Sequence, residues 1–280
     1  MGPILVVSLL LAALVAALIY RWWHRKPVRG YLAENEYWVY VQETKLPPAE
    51  KMMDRMISAN PHNRPGRPCI GAQEGMIFSD VRLHIAVALR EKNPYAFRPD
   101  LFTDDVAPNA KQLDAIAAAK AIAKVRYASR APLRNAYHLQ FLPHLAHSLC
   151  DLMGGTAIYD RVSGSVWLAD ELGAELGKNN NANRPALHVN VTWRPDGEGS
   201  GIVMTRGLRK RGMPEVETYP VPADQEVIAT GLMIKLAHEA LRTGDLPETQ
   251  TMNDFDCQFI IELERAGPIR RARIKRKMTT

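Results

Sequence analysis

The residues whose types and spacing could do chemistry are His144, His147 and Asp151, in the run Pro-His-Leu-Ala-His-Ser-Leu-Cys-Asp that ends at 151. At 100° per residue, Leu142, Leu145, Leu149 and Leu152 form one apolar stripe of a helix, and the two imidazoles and the carboxylate cluster on nearly the opposite side. Two imidazoles at i and i+3 with a carboxylate at i+7 could bind a divalent transition metal or work as an acid–base pair. That would be the chemistry of a metal-dependent hydrolase. The spacing is not the H-x-x-x-H of a zinc-protease helix, and the Glu general base is missing. The plainer reading is the polar face of an amphipathic helix, with Cys150 off to one flank.

Two basic segments follow. Gly207-Leu-Arg-Lys-Arg-Gly-Met-Pro-Glu215 brackets Arg209, Lys210 and Arg211 between glycines, so backbone amides and cations could meet an anion there. It lacks the strand-to-helix glycine pattern of a nucleotide loop, and a basic connecting loop is the simpler expectation. The C-terminal run Ile269 to Lys277 puts Arg271, Arg273, Lys275 and Lys277 on one strand face and Ala272 and Ile274 on the other. Such a strand reads either as a charged sheet edge guarded against aggregation or as a contact for anionic lipid. Nucleic acid is disfavoured because no aromatic platform is interleaved with these charges. No nucleophile elbow, kinase set or Cys–His pairing is present, so no coherent catalytic set emerges and no cofactor is called for.

These residues need elements to hold them. Glu36–Gln42 reads as a strand, and Pro47-Pro48 opens a helix whose Met52, Met53, Met56 and Ile57 are core packing. Ile77–Leu89 reads as a strand followed by a helix, and Ala-rich Ala110–Lys124 as a helix. Leu139–Met153 is a helix stopped by Gly154-Gly155. Thr156–Asp160 and Ser165–Leu168 pair as a hairpin across Ser163-Gly164. Beyond Lys178–Pro185, the most linker-like stretch, His188, Asn190 and Thr192 alternate with Leu187, Val189, Val191 and Trp193 as a half-buried strand. Gly201–Arg206 is a strand, Ala223–Arg242 a helix, and Asp256–Glu264 and Ile269–Lys277 are strands. Clustered strands with a few long helices predict an α+β fold with a mixed sheet, divisible into two similar-sized subdomains over 31–180 and 185–280.

Charge and hydropathy describe the remaining segment, 1–26. Pro3–Tyr20 is an uncharged run, about 27 Å long at helical rise, near the lower limit for crossing a bilayer. Arg21, Trp22, Trp23, Arg25 and Lys26 follow as interface anchors, and no charge precedes. The positive-inside bias predicts a single-pass helix in a bacterial inner membrane, N-terminus outside and body cytoplasmic. A cleaved signal peptide fits less well, because the start is uncharged and the run ends in bulky aromatics and arginines. Ten of the 36 basic residues lie in the two flanking segments, Arg21–Arg29 and Arg270–Lys277; the 26 others face 30 acidic ones. The body is thus mildly acidic with two basic ends. Three scattered cysteines give no disulfide framework.

The phrase His-Leu-Gln-Phe-Leu-Pro-His-Leu-Ala-His-Ser-Leu-Cys-Asp-Leu-Met-Gly-Gly-Thr-Ala-Ile-Tyr-Asp, ending at 160, with Gly207-Leu-x-x-x-Gly-x-Pro-Glu215 downstream, resembles uncharacterised bacterial domains of unknown function. A looser similarity is to the adaptor proteins that load lipase effectors onto type VI secretion machinery. Neither resemblance supplies catalytic residues. Both imply an adaptor or scaffold that binds another protein at the membrane, with hydrolysis and anionic-lipid or nucleic-acid binding as the alternatives.

Overall fold

The computed structural model describes residues 33–58, 80–98, 101–102, 107–131, 133, 135–179, 184–197, 199–254 and 257–277. The expected membrane span and its anchors Arg21, Trp22, Trp23, Arg25 and Lys26 lie outside them. Among the described residues no helix is long and apolar enough to cross a membrane. Leu32–Thr280 is one compact unit, and its described residues form two sheets.

The first sheet is antiparallel throughout, in the order β2 (Leu83–Leu89), β3 (Ala121–Ser129), β1 (Ala33–Val41), β4 (Ala157–Asp160), β5 (Ser165–Leu168). Its central strands are buried on both faces, which is why β1 reads as a near-continuous apolar run. Tyr37, Val39 and Val41 face α1 (Ala49–Ser58), α3 (Tyr137–Leu152) and α4 (Ala169–Asn179). On the other face Trp38 and Tyr40 meet Phe97 of a short 3-10 turn and Ile116 of α2 (Ala110–Ala118). The α2 helix opens with a reciprocal capping box between Asn109 and Gln112.

Two elements differ from expectation. The stretch after Asp80 is a single strand, with no helix before Leu89. The Ala-rich helix stops at Ala118, and Ala121–Lys124 belongs to β3. Ala121 and Ala123 lie between β1 and β2 and are fully buried, on the same strand as Ile122, Val125 and Tyr127. Tertiary pairing there overrides alanine's helical propensity.

The central helix α3 is also unlike its expectation. Its apolar stripe is real, but His138, His144, Ser148 and Cys150 are buried too, so the helix is enclosed rather than half-exposed. It ends because Gly154 turns at φ +60° and Gly155 lies where a Cβ would meet Cys150 Sγ at 2.4 Å. The α+β class and the Thr156–Leu168 hairpin hold as expected.

The second sheet runs β10 (Thr249–Asp254), β11 (Cys257–Ala266), β12 (Ile269–Lys277), β8 (Val216–Thr218), β7 (Ser200–Arg206), β6 (Asn190–Pro195), with β9 (Val221–Pro222) beside β7. The pairing of β12 with β8 is parallel. Helix α5 (Glu226–Thr243) covers one face, packing Leu232, Met233, Leu236 and Ala240 against Val203, Phe259, Ile261 and Ala272. The other face of β11 and β12 is largely polar, so these two strands alternate. The strand expected over 187–193 begins only at Asn190, after a 3-10 turn at Pro185–Leu187, and residues 190–193 are all partly buried. One sheet thus ends before the expected division at Lys178–Pro185 and the other begins after it.

Candidate functional site

Asp160 closes β4 with no exposed surface. Its Oδ1 accepts from the Val162 and Ser163 amides at 3.1 and 3.2 Å, which forms the hairpin turn. Its Oδ2 accepts from the ammonium of Lys210, which is also fully buried. His188 Nδ1 lies 3.4 Å from that ammonium, and the Tyr37 ring centroid 5.5 Å from it. Burial pushes the Lys210 pKa down against the pull of the Asp160 charge. Burial, then the Asp160 charge, pushes the Tyr37 hydroxyl well up.

The backbone that delivers Lys210 is the glycine-bracketed loop. Leu208–Arg211 makes one 3-10 turn, between Gly207 at φ +132° and Gly212 at φ +83°. A Cβ on Gly207 would stand 2.0 Å from the His188 carbonyl oxygen, so only glycine fits. The Glu215 carboxylate accepts from the amides of Gly207, Leu208 and Arg209 at 2.9, 3.3 and 3.2 Å, and from Thr205 Oγ1 at 2.9 Å. This explains why the run ends in glutamate: the amide nest that could have held an external anion is filled by the chain's own carboxylate. Meanwhile the Lys210 carbonyl accepts from His138 Nε2 at 2.8 Å and from Asn35 Nδ2 at 3.3 Å. Burial drops the His138 pKa to about 4.

The expected anion contact is therefore not presented as a group. Lys210 points into the core. Arg209 pairs with Glu34 at 2.9 Å, and Arg211 donates to the Leu241 carbonyl at 3.3 Å. A neighbouring pocket of about 350 Å³ is lined by Glu34, Glu36, Arg161, Arg206, Arg209 and Glu215. Its charges largely satisfy one another, with Arg161 on Glu36 at 3.3 Å and Arg126 on Glu34 at 2.8 Å. The Asp160–Lys210–His188 cluster is shut off from solvent. Its chemical capacity is to lock the first sheet, α3 and the second sheet together.

His144, His147 and Asp151 are not gathered into a metal site. His147 Nδ1 lies 3.5 Å from Asp151, whose carboxylate is already held by Arg55 at 2.6 Å. His147 Nε2 points at α4, where a Cβ on Gly173 would come within 2.7 Å. His144 is 5% exposed, and its Nε2 has no hydrogen-bond partner among the described residues. Burial, then the neighbouring His147, lowers its pKa to about 4. Among the described residues no three His, Cys, Asp or Glu side chains converge to hold a metal ion. Helical spacing set these residues near one another, but α1 and α4 then claimed them separately.

The basic C-terminal strand is corrected from an edge to an interior position over its first part. Arg270–Ala272 pair with β8 on one side while β11 pairs along the whole strand on the other. Its exposed face is matched by acids: Arg273 to Glu264 at 3.5 Å and Lys275 to Glu262 at 2.8 Å. The Arg271 and Arg273 guanidiniums also cover the Tyr219 ring. Lys277 is the last residue of β12.

The opposite face of β12 carries a concavity of about 640 Å³. Its floor is Phe259, Ala272 and Ile274, and its far wall is Ile228 and Ala229 at the start of α5. Tyr219–Pro222 forms the near wall, and Cys257, Arg273 and Arg276 form the rim beside Asp224. Ile228 is 36% exposed and its neighbour Val227 78%. The sequence signalled the alternation of β12 but nothing of this groove, because its walls come from three separate segments.

Comparison with protein families, with curated proteins and with solved structures finds no match.

Proposed function

We propose that this chain is a membrane-anchored adaptor that holds another protein in the groove beneath β12. The observation that carries this reading is the groove itself. It is a preformed, apolar-floored cleft of about 640 Å³ with charged rim residues, well within the size range of ligand sites. Exposed Val227 and Ile228 extend its apolar surface outward along α5. The buried ion pair is sealed, His144 is buried and the Asp151 carboxylate is held by Arg55, so neither cluster offers a competing open site. The uncharged Pro3–Tyr20 run supports the anchor, and the basic, aromatic flank supports a cytoplasmic body.

Acids pair Arg273 and Lys275 on the outer face, which weakens the lipid-binding alternative for that strand. The test is site-specific photocrosslinking of the full chain in native membranes. A photoreactive side chain at Ile228 is expected to capture one dominant protein, whereas the same probe at exposed Val81, outside the groove, captures none. Equal labelling from both positions sinks the proposal.

A further inference from the structure

The groove has a feature that apolar volume alone does not explain: one of its walls is a sheet edge that no described strand completes. In β12, Arg270 N–H donates to the Glu215 carbonyl and the Ala272 carbonyl accepts from Tyr219 N–H, both on the β8 side. Backbone groups alternate sides along a strand, so Ile274 and Arg276 aim their N–H and C=O the same way, while Arg273 and Lys275 bond to β11. The pairing of β8 with β12 nevertheless ends at Ala272. Pro220, which has no N–H, and Pro222 then carry the chain off to pair with β7 as β9. Among the described residues, no strand occupies the line that β8 leaves. The 640 Å³ groove lies along that vacated line.

The chemistry of the rim says what would fit. Arg276 donates to the Cys257 sulfur at 2.7 Å, and among the described residues no carboxylate pairs with it. Ile274, two residues before it on the same strand face, is part of the apolar floor with Phe259, facing the Ile228 wall. An incoming strand would therefore need an apolar side chain opposite Ile274 and an acid opposite Arg276, two positions apart. Exposed strand edges are ready templates for pairing with another chain. Among the described residues no strand pairs with Ile274 and Arg276 on this side, above the apolar floor.

We propose that the partner enters as an extended, acidic segment that adds to β12 as a strand, in the line vacated at Pro220. This rests on the adaptor reading and specifies the chemistry of its partner. Main-chain bonds to Ile274 and Arg276 would supply affinity. Ile228, Phe259 and Arg276 would select alternate side chains.

The experiment uses the full chain in mild detergent and a labelled hexapeptide probe, Thr-Val-Thr-Glu-Thr-Thr, whose valine and glutamate stand two positions apart on one strand face. Binding is followed by fluorescence anisotropy, and amide exchange of the protein is measured with and without the peptide. Added strand pairing should slow exchange at the Ile274 and Arg276 amides at least about tenfold. N-methylating alternate peptide amides, or Arg276→Glu, should weaken binding on the order of tenfold, the scale of a charge-assisted hydrogen-bonded contact. The N-methylated peptides leave the protein unaltered, so the conclusion does not depend on the variant folding. A lysine-for-glutamate peptide should not bind.

Unchanged exchange at Ile274 and Arg276 under saturating peptide overturns the proposal. So does protection that rises with protein concentration alone, which would place a second copy of this chain on the edge. A crosslinked partner at Ile228 without protection at these amides leaves the adaptor reading standing and removes strand addition. Loss of the Ile228 crosslink removes the adaptor reading itself.

Discussion

Replacing Asp160 by asparagine should turn the buried lysine into a liability whose size depends on pH. The asparagine amide oxygen can still accept from the Val162 and Ser163 amides in place of Asp160 Oδ1, so the hairpin turn is kept. The change removes only the charge facing Lys210. Breaking one member of a buried ion pair costs about 3–5 kcal/mol. The structure sets an independent ceiling, because a fully buried Lys210 without its counterion sheds its proton. Holding it neutral at pH 7, against an unfolded pKa of about 10.4, costs at most about 5 kcal/mol at about 1.4 kcal/mol per pH unit. The two figures agree, and for a body of this size the melting temperature should fall by roughly 6–20 °C.

In Asp160→Asn the folded state holds Lys210 neutral while the unfolded state holds it protonated, so stability rises with pH from 7 toward 10. Adding Lys210→Met removes the buried amine altogether. The double variant should recover at least about 2 kcal/mol over Asp160→Asn and lose its rising pH slope. Urea unfolding of the full chain in mild detergent, followed by tryptophan fluorescence from pH 7 to 9, measures both. A double variant no more stable than Asp160→Asn, or a single variant costing under about 1 kcal/mol, refutes the argument that the pair is a coupled, solvent-free unit.

Further outcomes follow from the same geometry. His138 and His144, with folded pKa values of about 4 against an ordinary 6.5, favour the neutral ring in the folded state. Their stabilisation is complete above pH 6.5 and lost as pH falls toward 4, about 2 kcal/mol each by pH 5. A urea midpoint that stays level between pH 7 and 5 would contradict this. His144→Leu removes a buried ring nitrogen with no partner among the described residues. It should leave stability unchanged or raise it by about 1 kcal/mol at pH 7 and flatten part of that acid slope. Loss of bound metal in the same variant, read by elemental analysis, would restore the hydrolase reading. Gly207→Ala forces a Cβ to within 2.0 Å of the His188 carbonyl oxygen at φ +132°. A cost above about 3 kcal/mol, or no soluble protein, is expected, and a wild-type melting temperature would refute the assigned backbone.

Much of the fold was legible because its signals are local. The alternation of β12, the hairpin between Asp160 and Ser165 and the glycine stop after α3 each depend on residues a few positions apart. The α+β class follows from their order. The failures share one cause. Ala121–Lys124 has helical propensity, and only the presence of β1 and β2 on either side makes it a strand. His144 and His147 have plausible ligand spacing, and only α1 and α4 decide that Asp151 goes to Arg55 and His147 faces Gly173. By itself, the amino-acid order determined which segments are strands in most of the chain, where the apolar faces lie and where charge accumulates. Tertiary structure alone decided that the middle lysine of a basic loop is buried against Asp160, 50 positions earlier, and that no described strand pairs with the far end of β12 above the groove. Burial and strand vacancy depend on what arrives from elsewhere in the chain, and no local pattern encodes a neighbour.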